Sequence, residues 1–491
     1  MLAPSDLIGL ATAAVQELRM VTRGSSFGQA PESSLRVRQL LLFVLPVVMT
    51  ASCMSQSVAW PAVDERIVAS ELIVRFQESA SKAERATLRA KYSAIAREGR
   101  ITDTELWRLP AGTAVAAASR ELTSDPLLRY VTLNHRRRTL EYLAPEVNTS
   151  SYGQWHLAAI RAIEAWKLYF SAERPPGKGI TVAILDSGVD VRHPDLYDNI
   201  ARDASGSLIF IDVLHEASSS LDNCGNMNFD WQTAYQDAVH PGPDGHGHGT
   251  HVAGLVAAAS GNDGYNGRNV VGVAPAATIL PVKTMNCSGD GNDWDIAYGI
   301  TAAADRGAKI ANLSIGGPDP SPILEDALVY ASDKGVLVVV AAGNGSGSPV
   351  FYPAAYPGML AVGAIDRRDN YQAYSNVGPQ LALVAPGGAV NQLVEGILST
   401  VPLYISELTR SIRNANGYAR ISGTSQASPL VAGVAALIWS REPGLSAEQV
   451  RDRLIAAAQD LGEVGFDAKY GWGKVDAVNA LRLGDHRYAM P

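Results

Sequence analysis

Apolar residues in the second part of the chain occur in short, nearly continuous runs, separated by segments with helically spaced apolar positions. Runs of four to seven such residues are typical of parallel strands covered on both faces. We therefore predict an α/β fold: a doubly wound, mostly parallel sheet with helices on both faces. The apolar runs cover residues 180–185, 310–315, 336–342, 360–365 and 381–384, and the helical stretches cover 251–259, 293–306, 323–334 and 429–440.

A second pattern precedes this region. Residues 66–144 read as strand, helix, strand, helix, strand, which fits a small α/β open sheet with helices on one face. Residues 141–153 show little periodicity and have the composition of a linker. The predicted organisation is a leader and signal peptide in 1–59, the small α/β segment in 66–144 and a large α/β domain in 148–485.

The leader has the layout of an export signal. Two arginines precede an apolar run over residues 40–49, and small residues follow it. The run is shorter than the roughly 20 residues that span a bilayer, and Pro46 interrupts it. We expect an exported protein, extracellular or periplasmic, with no transmembrane span. A buried core helix is one alternative, and lipid anchoring at Cys53 is another.

Charge and cysteine content narrow the classes of function. The formal net charge of −8 lacks the electrostatic footprint of a nucleic-acid-binding protein. The one dense basic run, residues 136–138, indicates a solvated face or a processing region. If the leader is removed, Cys224 and Cys287 remain, and a cysteine pair in an exported protein favours a disulfide. Two buried free thiols are the alternative.

Three residues with complementary chemistry lie at predicted strand ends or helix starts, where the functional groups of doubly wound folds gather. Asp186 follows an apolar run, while His248 and Ser425 each precede a helical stretch. A serine hydroxyl needs a base to accept its proton, and histidine titrates near neutral pH. A buried carboxylate then orients the imidazole. Asn344 ends another strand and, with the N–H of Ser425, is suited to stabilise an oxyanion.

The order Asp, His, Ser along the chain matches subtilisin and differs from chymotrypsin and the α/β-hydrolases. The blocks Asp-Ser-Gly-Val-Asp, His-Gly-Thr-His-Val-Ala-Gly, Ala-Ala-Gly-Asn and Gly-Thr-Ser-Gln-Ala-Ser-Pro contain the four candidates. They resemble the signature blocks of the subtilisin-like (subtilase) family over residues 152–480. The resemblance implies a serine endopeptidase that needs no cofactor for its chemistry. It assigns Ser425 as nucleophile, His248 as general base, Asp186 as orienting acid and Asn344 as oxyanion donor.

The resemblance also implies how substrates bind. One backbone segment pairs with an extended peptide as a β-strand, and the S1 pocket lies between that segment and the strand that ends before Asn344. Main-chain pairing demands little of the substrate sequence, so broad specificity is expected. With Phe351 at its floor, the pocket should be shallow and favour small groups. The implied substrate-binding residues are Ser314, Ile315, Gly316, Ala342, Gly343 and Phe351.

Two further expectations come from the same resemblance. Asp195, Gln154 and Asn266 are candidate ligands of a structural calcium ion, with a loop held by its own turns as the alternative. Residues 66–144 are similar to an inhibitor-type propeptide, which acts as an intramolecular inhibitor and is removed by self-cleavage between about residues 140 and 151. A permanent accessory domain is the alternative. The expected partners are protein or peptide substrates, and a monomer is expected.

Other functions are disfavoured. The histidines at 246, 248 and 251 lack the glutamate of His-Glu-x-x-His, so a zinc site is not expected, and His251 should be a packed structural residue. A non-catalytic peptide-binding protein would usually lack a member of the triad. A lipase or esterase would place its serine in Gly-x-Ser-x-Gly, whereas Ser425 lies in Gly-x-Ser-x-Ala.

Overall fold

The computed structural model describes residues 66–143, 153–216, 244–262, 264, 269–390, 395–412 and 416–483. The predicted leader and signal peptide, including Cys53, lie outside these residues. Within the described part of the chain, no helix combines the length and the hydropathy needed to span a bilayer.

Residues 66–143 form a four-stranded antiparallel sheet with two helices. The elements are β1 (Ile67–Phe76), α1 (Lys82–Lys91), β2 (Ile95–Glu98), β3 (Thr104–Arg108), α2 (Val115–Leu122) and β4 (Leu128–Thr139). The strand order is β4-β1-β3-β2, and each neighbouring pair is antiparallel. Trp107 is fully buried and packs in one cluster with Leu88 of α1 and Leu122 of α2, so both helices share the core of this sheet.

Beyond these elements, the described chain contains twelve further strands and ten further α-helices. The strands are β5 (Tyr142–Leu143), β6 (Thr181–Asp186), β7 (Ile211–Asp212), β8 (Thr278–Lys283), β9 (Asp290–Asn292), β10 (Ile310–Leu313), β11 (Ile315–Gly316), β12 (Leu337–Ala341), β13 (Leu360–Ile365), β14 (Leu381–Pro386), β15 (Ile397–Thr400) and β16 (Tyr418–Ser422). The helices are α3 (Trp155–Ala159), α4 (Ala162–Tyr169), α5 (Val213–Glu216), α6 (His248–Ala257), α7 (Asp293–Asp305), α8 (Pro322–Asp333), α9 (Glu407–Ser411), α10 (Thr424–Arg441), α11 (Ala447–Ala456) and α12 (Ala477–Arg482).

Seven of these strands form the central sheet, in the order β14-β13-β12-β10-β6-β8-β7, and every neighbouring pair is parallel. Alternate residues of β6 face opposite sides, as a pleated strand requires. Ile184 belongs to one buried cluster with α6 and α10, whereas Leu185 belongs to another with α7 and α8. The predicted doubly wound sheet with helices on both faces is therefore confirmed.

The two helices that carry predicted catalytic residues begin earlier than predicted. α6 begins at His248 instead of residue 251, and α10 begins at Thr424 instead of residue 429. Pro429 therefore lies in the second turn, where it lacks the N–H that would bond to the Ser425 carbonyl. The Oγ of Ser314 donates to that carbonyl at 2.9 Å, which replaces the missing bond.

Several strands departed from the predicted pattern. β2 is largely exposed and shows no apolar alternation. β8 was not predicted because Pro281 interrupts its apolar run. β4 continues six residues past the predicted end at residue 133, and β5 forms a strand within the predicted linker. The last two differences matter most, because they bring residues 134–143 against the central domain.

We expect the substitution Gly433→Ala to destabilise the protein, although alanine normally stabilises a helix interior by about 1 kcal/mol relative to glycine. A Cβ added to Gly433 of α10 would lie 2.5 Å from the Cβ of Val273, which is completely buried. Overpacking of this kind costs about 1–3 kcal/mol of the free energy of unfolding. Chemical denaturation in a Ser425→Ala background, where self-digestion cannot interfere, measures the change. Gly444→Ala is the control, because its added methyl group meets nothing within 4 Å. Equal stability of the Gly433→Ala variant and its parent would contradict this expectation.

Candidate active site

The predicted acid and base are in direct contact. Asp186 is the last residue of β6, His248 is the first residue of α6, and both side chains are fully buried. The two carboxylate oxygens of Asp186 lie 2.8 and 2.9 Å from Nδ1 of His248. The carboxylate therefore orients the ring and leaves Nε2 directed toward residue 141.

Asp244 organises the start of the His248 helix. Its carboxylate accepts the backbone N–H groups of Gly247 and Thr250 at 2.6 and 2.8 Å. It also accepts the hydroxyl groups of Ser187 and Thr250, each at 2.7 Å. A carboxylate at this position satisfies N–H groups that have no partner within the helix and interacts favourably with the helix dipole.

Ser425 and Asn344 form the other wall of the site. Ser425 is the second residue of α10, so its N–H has no carbonyl partner within the helix. Oδ1 of Asn344 accepts the N–H and the hydroxyl of Thr424 at 3.0 and 2.9 Å, which fixes the orientation of the amide. A Cβ built on Gly423 would lie 2.5 Å from the carbonyl oxygen of Leu140 and 3.0 Å from Nδ2 of Asn344. Only glycine leaves this space free.

The hydroxyl of Ser425 makes no hydrogen bond to His248 in this structure. It donates to the carbonyl of Ser314 at 2.8 Å and accepts the N–H of Leu140 at 3.2 Å. Nε2 of His248 makes no hydrogen bond to a described residue, and the nearest charged atom is Oε2 of Glu141 at 3.5 Å. The hydroxyl proton of Ser425 is therefore directed at Ser314, and it must turn toward the imidazole before His248 can accept it.

A strand of the same chain occupies the cleft. β4 runs antiparallel to both β9 and β11 and lies between them, through the pairing of residues 136–138 with 290–292 and of residues 138–139 with 315–316. After the strand, β5 pairs with β16. The chain is thus held on both sides of the Leu140–Glu141 peptide bond. The carbonyl of Leu140 accepts the N–H of Ser425 at 3.4 Å.

The side chain of Leu140 fills a pocket beside Ser425. It is 5% exposed and packs against Ala341 and Phe351. A Cβ built on Gly316 would lie 3.3 Å from Cδ1 of Leu140 and 3.4 Å from Cβ of Phe351, so the backbone at Gly316 forms a wall of this pocket.

The predicted substrate-binding residues all lie around this occupied cleft. β11 pairs with β4, and the segment after β12 contacts Phe351 through a backbone hydrogen bond of 2.9 Å and through close approach of Gly343 to the aromatic ring. The set comprises Ser314, Ile315, Gly316, Ala342, Gly343 and Phe351.

Glu141 adds a second carboxylate beside the imidazole of His248. Its Oε2 lies 3.5 Å from Nε2 of His248, and its Oε1 lies 3.6 Å from Nε2 of His246. Burial alone would lower the pKa of His248, but the carboxylates of Asp186 and Glu141, with Asp244 nearby, raise that pKa to about 9. In the uncut chain, His248 is therefore protonated at neutral pH.

Two of the three predicted calcium ligands hold a common loop. Oδ2 of Asp195 accepts the N–H of Val270 at 2.9 Å, and the amide of Gln154 bonds to both the N–H and the carbonyl of Val271. Asn266 lies outside the described residues, and the described residues contain no cluster of three histidine, cysteine or acidic side chains suited to a metal. A carboxylate and an amide oxygen suit Ca²⁺ chemically. Bound calcium therefore stays a prediction, as does the alternative of a self-supported loop.

Two other expectations concern Cys287 and His251. Cys287 is disulfide-bonded, but Cys224 lies outside the described residues, so that pairing stays a prediction. His251 is fully buried, with Nε2 3.1 Å from the carbonyl of Ile397. Burial lowers its pKa to about 3, so the ring is neutral and packed within the structure.

Sequence reasoning assigned no role to Asp244 or Glu141. An acidic residue shortly before a helix start is an ordinary capping signal, so the contribution of Asp244 could have been recognised. Glu141 lies in the predicted linker. Its contact with His248 depends on the path of β4 through the cleft, which no local pattern reveals.

We expect the imidazole of His248 to titrate near pH 9 in full-length protein carrying Ser425→Ala, and Glu141→Gln to lower that pKa. Removal of a neighbouring negative charge destabilises the protonated ring. NMR of histidine-labelled protein measures both values. Glu448→Gln changes an exposed carboxylate on α11 and should leave the pKa of His248 unaltered. A pKa of His248 that does not respond to Glu141→Gln would refute the influence of Glu141.

Comparison with known proteins agrees with this geometry. Residues 177–473 match the model of the subtilase family. The chain is 36% identical to M-protease of Shouchella clausii (strain KSM-K16) over 347 residues, covering 70% of this chain and 74% of the relative. It is 31% identical to subtilisin J of Geobacillus stearothermophilus over 448 residues, covering 90% of this chain and 98% of the relative.

Among solved structures, the chain is similar to fervidolysin from Fervidobacterium pennivorans, a keratinolytic enzyme related to subtilisin, with a TM-score of 0.64 and 26% sequence identity. That match covers 86% of this chain and 62% of fervidolysin, less than two thirds of its length. Together, the family match, the relatives and the parallel sheet establish that this chain belongs to the subtilase family and is a subtilisin-like serine endopeptidase.

Proposed function

We propose that the protein is an exported zymogen that cuts its own chain between Leu140 and Glu141. In this proposal, residues 1–59 are the leader and signal peptide, residues 66–144 contain an inhibitor-type propeptide that ends at Leu140, and residues 148–485 contain the peptidase domain. The mature enzyme is a monomer that cleaves protein or peptide substrates and binds no nucleic acid.

The observation that carries the proposal is the position of one peptide bond. The carbonyl of Leu140 accepts the N–H of Ser425, its side chain fills the pocket beside Phe351, and paired strands hold the chain on either side. A substrate segment already held over the nucleophile by its own chain loses little further freedom on reaching the transition state. The uncut chain is thus arranged as its own first substrate.

The proposed chemistry follows from these positions. After rotation, the hydroxyl of Ser425 transfers its proton to Nε2 of His248, and its oxygen attacks the carbonyl carbon of Leu140. The N–H of Ser425 and Nδ2 of Asn344 stabilise the negative oxygen that forms. His248 then gives the proton to the departing amine of Glu141, and water hydrolyses the acyl-enzyme. Asp186 stabilises the imidazolium in both steps.

The pH dependence of self-cleavage follows from the same assignment. His248 accepts the proton only as neutral imidazole, and beside Glu141 its pKa is about 9. The rate of self-cleavage therefore rises with pH until about 9.

Side-chain contacts support retention of the propeptide as an inhibitor after cleavage. Tyr130 donates to Asp326 at 2.6 Å, and Arg66 pairs with Asp319 at 2.7 Å. Arg75 also pairs with Asp326. Each acceptor belongs to α8 or to the loop before it, so these contacts do not depend on the intact Leu140–Glu141 bond.

Main-chain pairing at β9 and β11 supports broad specificity, because backbone bonds are available to any extended peptide. The sequence predicts a shallow pocket for small groups, but the pocket holds the leucine side chain in the uncut chain, so we assign the first substrate preference to aliphatic residues of that size. No cofactor is needed for this chemistry. A structural Ca²⁺ held by Asp195, Gln154 and Asn266 remains part of the proposal.

N-terminal sequencing of the processed protein tests the cleavage site. We expect the mature enzyme to begin at Glu141 and Ser425→Ala to remain full length. A serine-directed fluorophosphonate should label mature wild-type protein at Ser425. Ser440→Ala removes a serine that lies later in the same helix, and this control should mature and be labelled normally. A mature protein that begins elsewhere would refute the assigned bond. Absence of both processing and labelling would favour a peptide-binding protein without catalysis.

Kinetics of Asn344 variants test the oxyanion site. We expect Asn344→Ala to lower kcat about 10²–10³-fold with little change in KM, a magnitude taken from the corresponding donor in subtilisin. Asn344→Asp retains an acceptor for Thr424 but lacks the amide donor, so it should lose at least as much. An Asn344→Asp variant with wild-type kcat would show that the residue only positions Thr424.

A further inference from the structure

Arg137 and Asp293 form an ion pair that is completely shielded from solvent. Both side chains are 0% exposed, and Nε of Arg137 donates to Oδ1 of Asp293 at 2.5 Å. Nη2 of the same guanidinium donates to the backbone carbonyl of Asp319 at 2.8 Å. Complete burial of a charge is costly unless a partner compensates it. Asp293 and the carbonyl of Asp319 together compensate the guanidinium group of Arg137.

The pair lies in the cleft, and Arg137 is three residues before Leu140, whose carbonyl lies against Ser425. If Leu140 is the residue before the cleaved bond (P1), Arg137 is the fourth (P4). Arg137 pairs with Gly291 of β9, and Asp293 follows β9 directly as the first residue of α7. The carboxylate therefore belongs to the peptidase side of the cleft, and the arginine belongs to the bound strand.

Removal of the N-terminal segment leaves Asp293 without the two basic side chains that contact it. Besides Arg137, the ring of His135 lies 3.1 Å from Oδ2 of Asp293. Both neighbours precede the Leu140–Glu141 bond, and no arginine or lysine of the described residues in 153–483 forms an ion pair with Asp293. Burial would raise the pKa of Asp293, but Arg137 and His135 lower it below its ordinary value. In the uncut chain the carboxylate is therefore ionised, and in the mature cleft it lacks the cation that compensated its burial.

We propose that Asp293 makes the mature enzyme selective for substrates with arginine at P4. The inference rests on the proposed self-cleavage, with Leu140 as the P1 residue. It adds one side-chain requirement to a specificity that is otherwise broad. Arginine fits better than lysine, because its planar group reaches the Asp293 carboxylate and the Asp319 carbonyl at the same time.

The neighbouring position provides an internal comparison. Arg138, at P3, pairs with Asp290 at 3.0 Å, but these side chains are 38% and 24% exposed. A pair with this much solvent access contributes little to binding. The two arginines are adjacent and have the same chemistry, so a difference between them isolates the effect of burial.

The test uses mature wild-type enzyme and an internally quenched peptide with the sequence of residues 134–143. Citrulline, an uncharged analogue of arginine, replaces the arginine at P4 or at P3. We expect the P4 replacement to lower kcat/KM by about 10–100-fold and the P3 replacement by about twofold or less. Mass spectrometry verifies that each peptide is cut after leucine. Equal kcat/KM for arginine and citrulline at P4 would overturn the proposal.

The variant Asp293→Asn assigns the preference to one side chain. The ratio of kcat/KM for arginine over citrulline at P4 should fall to about 1, whereas Asp290→Asn should leave that ratio unchanged. A ratio unaltered by Asp293→Asn would overturn the assignment. If Asp293→Asn does not mature, the wild-type peptide comparison still decides the preference. If wild-type enzyme cuts no peptide and is not labelled at Ser425, the proposed function fails, and this inference fails with it. Cleavage without P4 selectivity refutes this inference alone.

Discussion

The insertion of β4 between β9 and β11 determines how the N-terminal segment meets the active site. Backbone hydrogen bonds on both edges of this strand fix the register of residues 136–139. That register places the Leu140 carbonyl against the N–H of Ser425 and brings Glu141 within 3.5 Å of the imidazole of His248. A shift of one residue would move every side chain of the strand to the opposite face, so the pocket contact of Leu140 and the ion pair of Arg137 depend on the same pairing.

Electrostatic complementarity reinforces this register. Basic groups of the N-terminal segment meet acidic groups of the central domain at several separate points: Arg137 and His135 meet Asp293, Arg66 meets Asp319, and Arg75 meets Asp326. The pairs differ in solvent access, and their strength should differ accordingly, because exposed pairs contribute little. The fully buried pair with Asp293 is therefore expected to carry more of the alignment than the partly exposed pairs of Arg66 and Arg75. Alignment in the uncut chain and recognition of arginine in a substrate would then depend on the same carboxylate.

The parallel sheet, the family and the pairing of Asp186 with His248 can be predicted from the sequence alone. Each has a local signature in apolar runs or in short glycine-rich blocks. The path of residues 134–143 through the cleft cannot be predicted in this way. Residues 136–138 were expected to form a solvated face or a processing region, yet the side chain of Arg137 is fully buried. Its partner Asp293 lies 156 residues away in the chain, and no periodicity connects the two. The start of α10 was misjudged because Pro429 resembles a first-turn residue.

The position of Pro429 in the second turn of α10 explains the hydrogen bond that connects the nucleophile to the segment before β11. Because proline has no N–H, the carbonyl of Ser425 lacks its helical partner, and Oγ of Ser314 supplies the bond instead. Ser314 in turn accepts the hydroxyl of Ser425 with its own carbonyl and receives a hydrogen bond from Asn312 of β10 at 3.0 Å. Ser314 immediately precedes β11, so the strand that pairs with β4 and the start of α10 are connected through this residue. The nucleophile and the peptide that it faces are therefore positioned by the same residue, and the Ser425 hydroxyl has to leave Ser314 before it can reach His248.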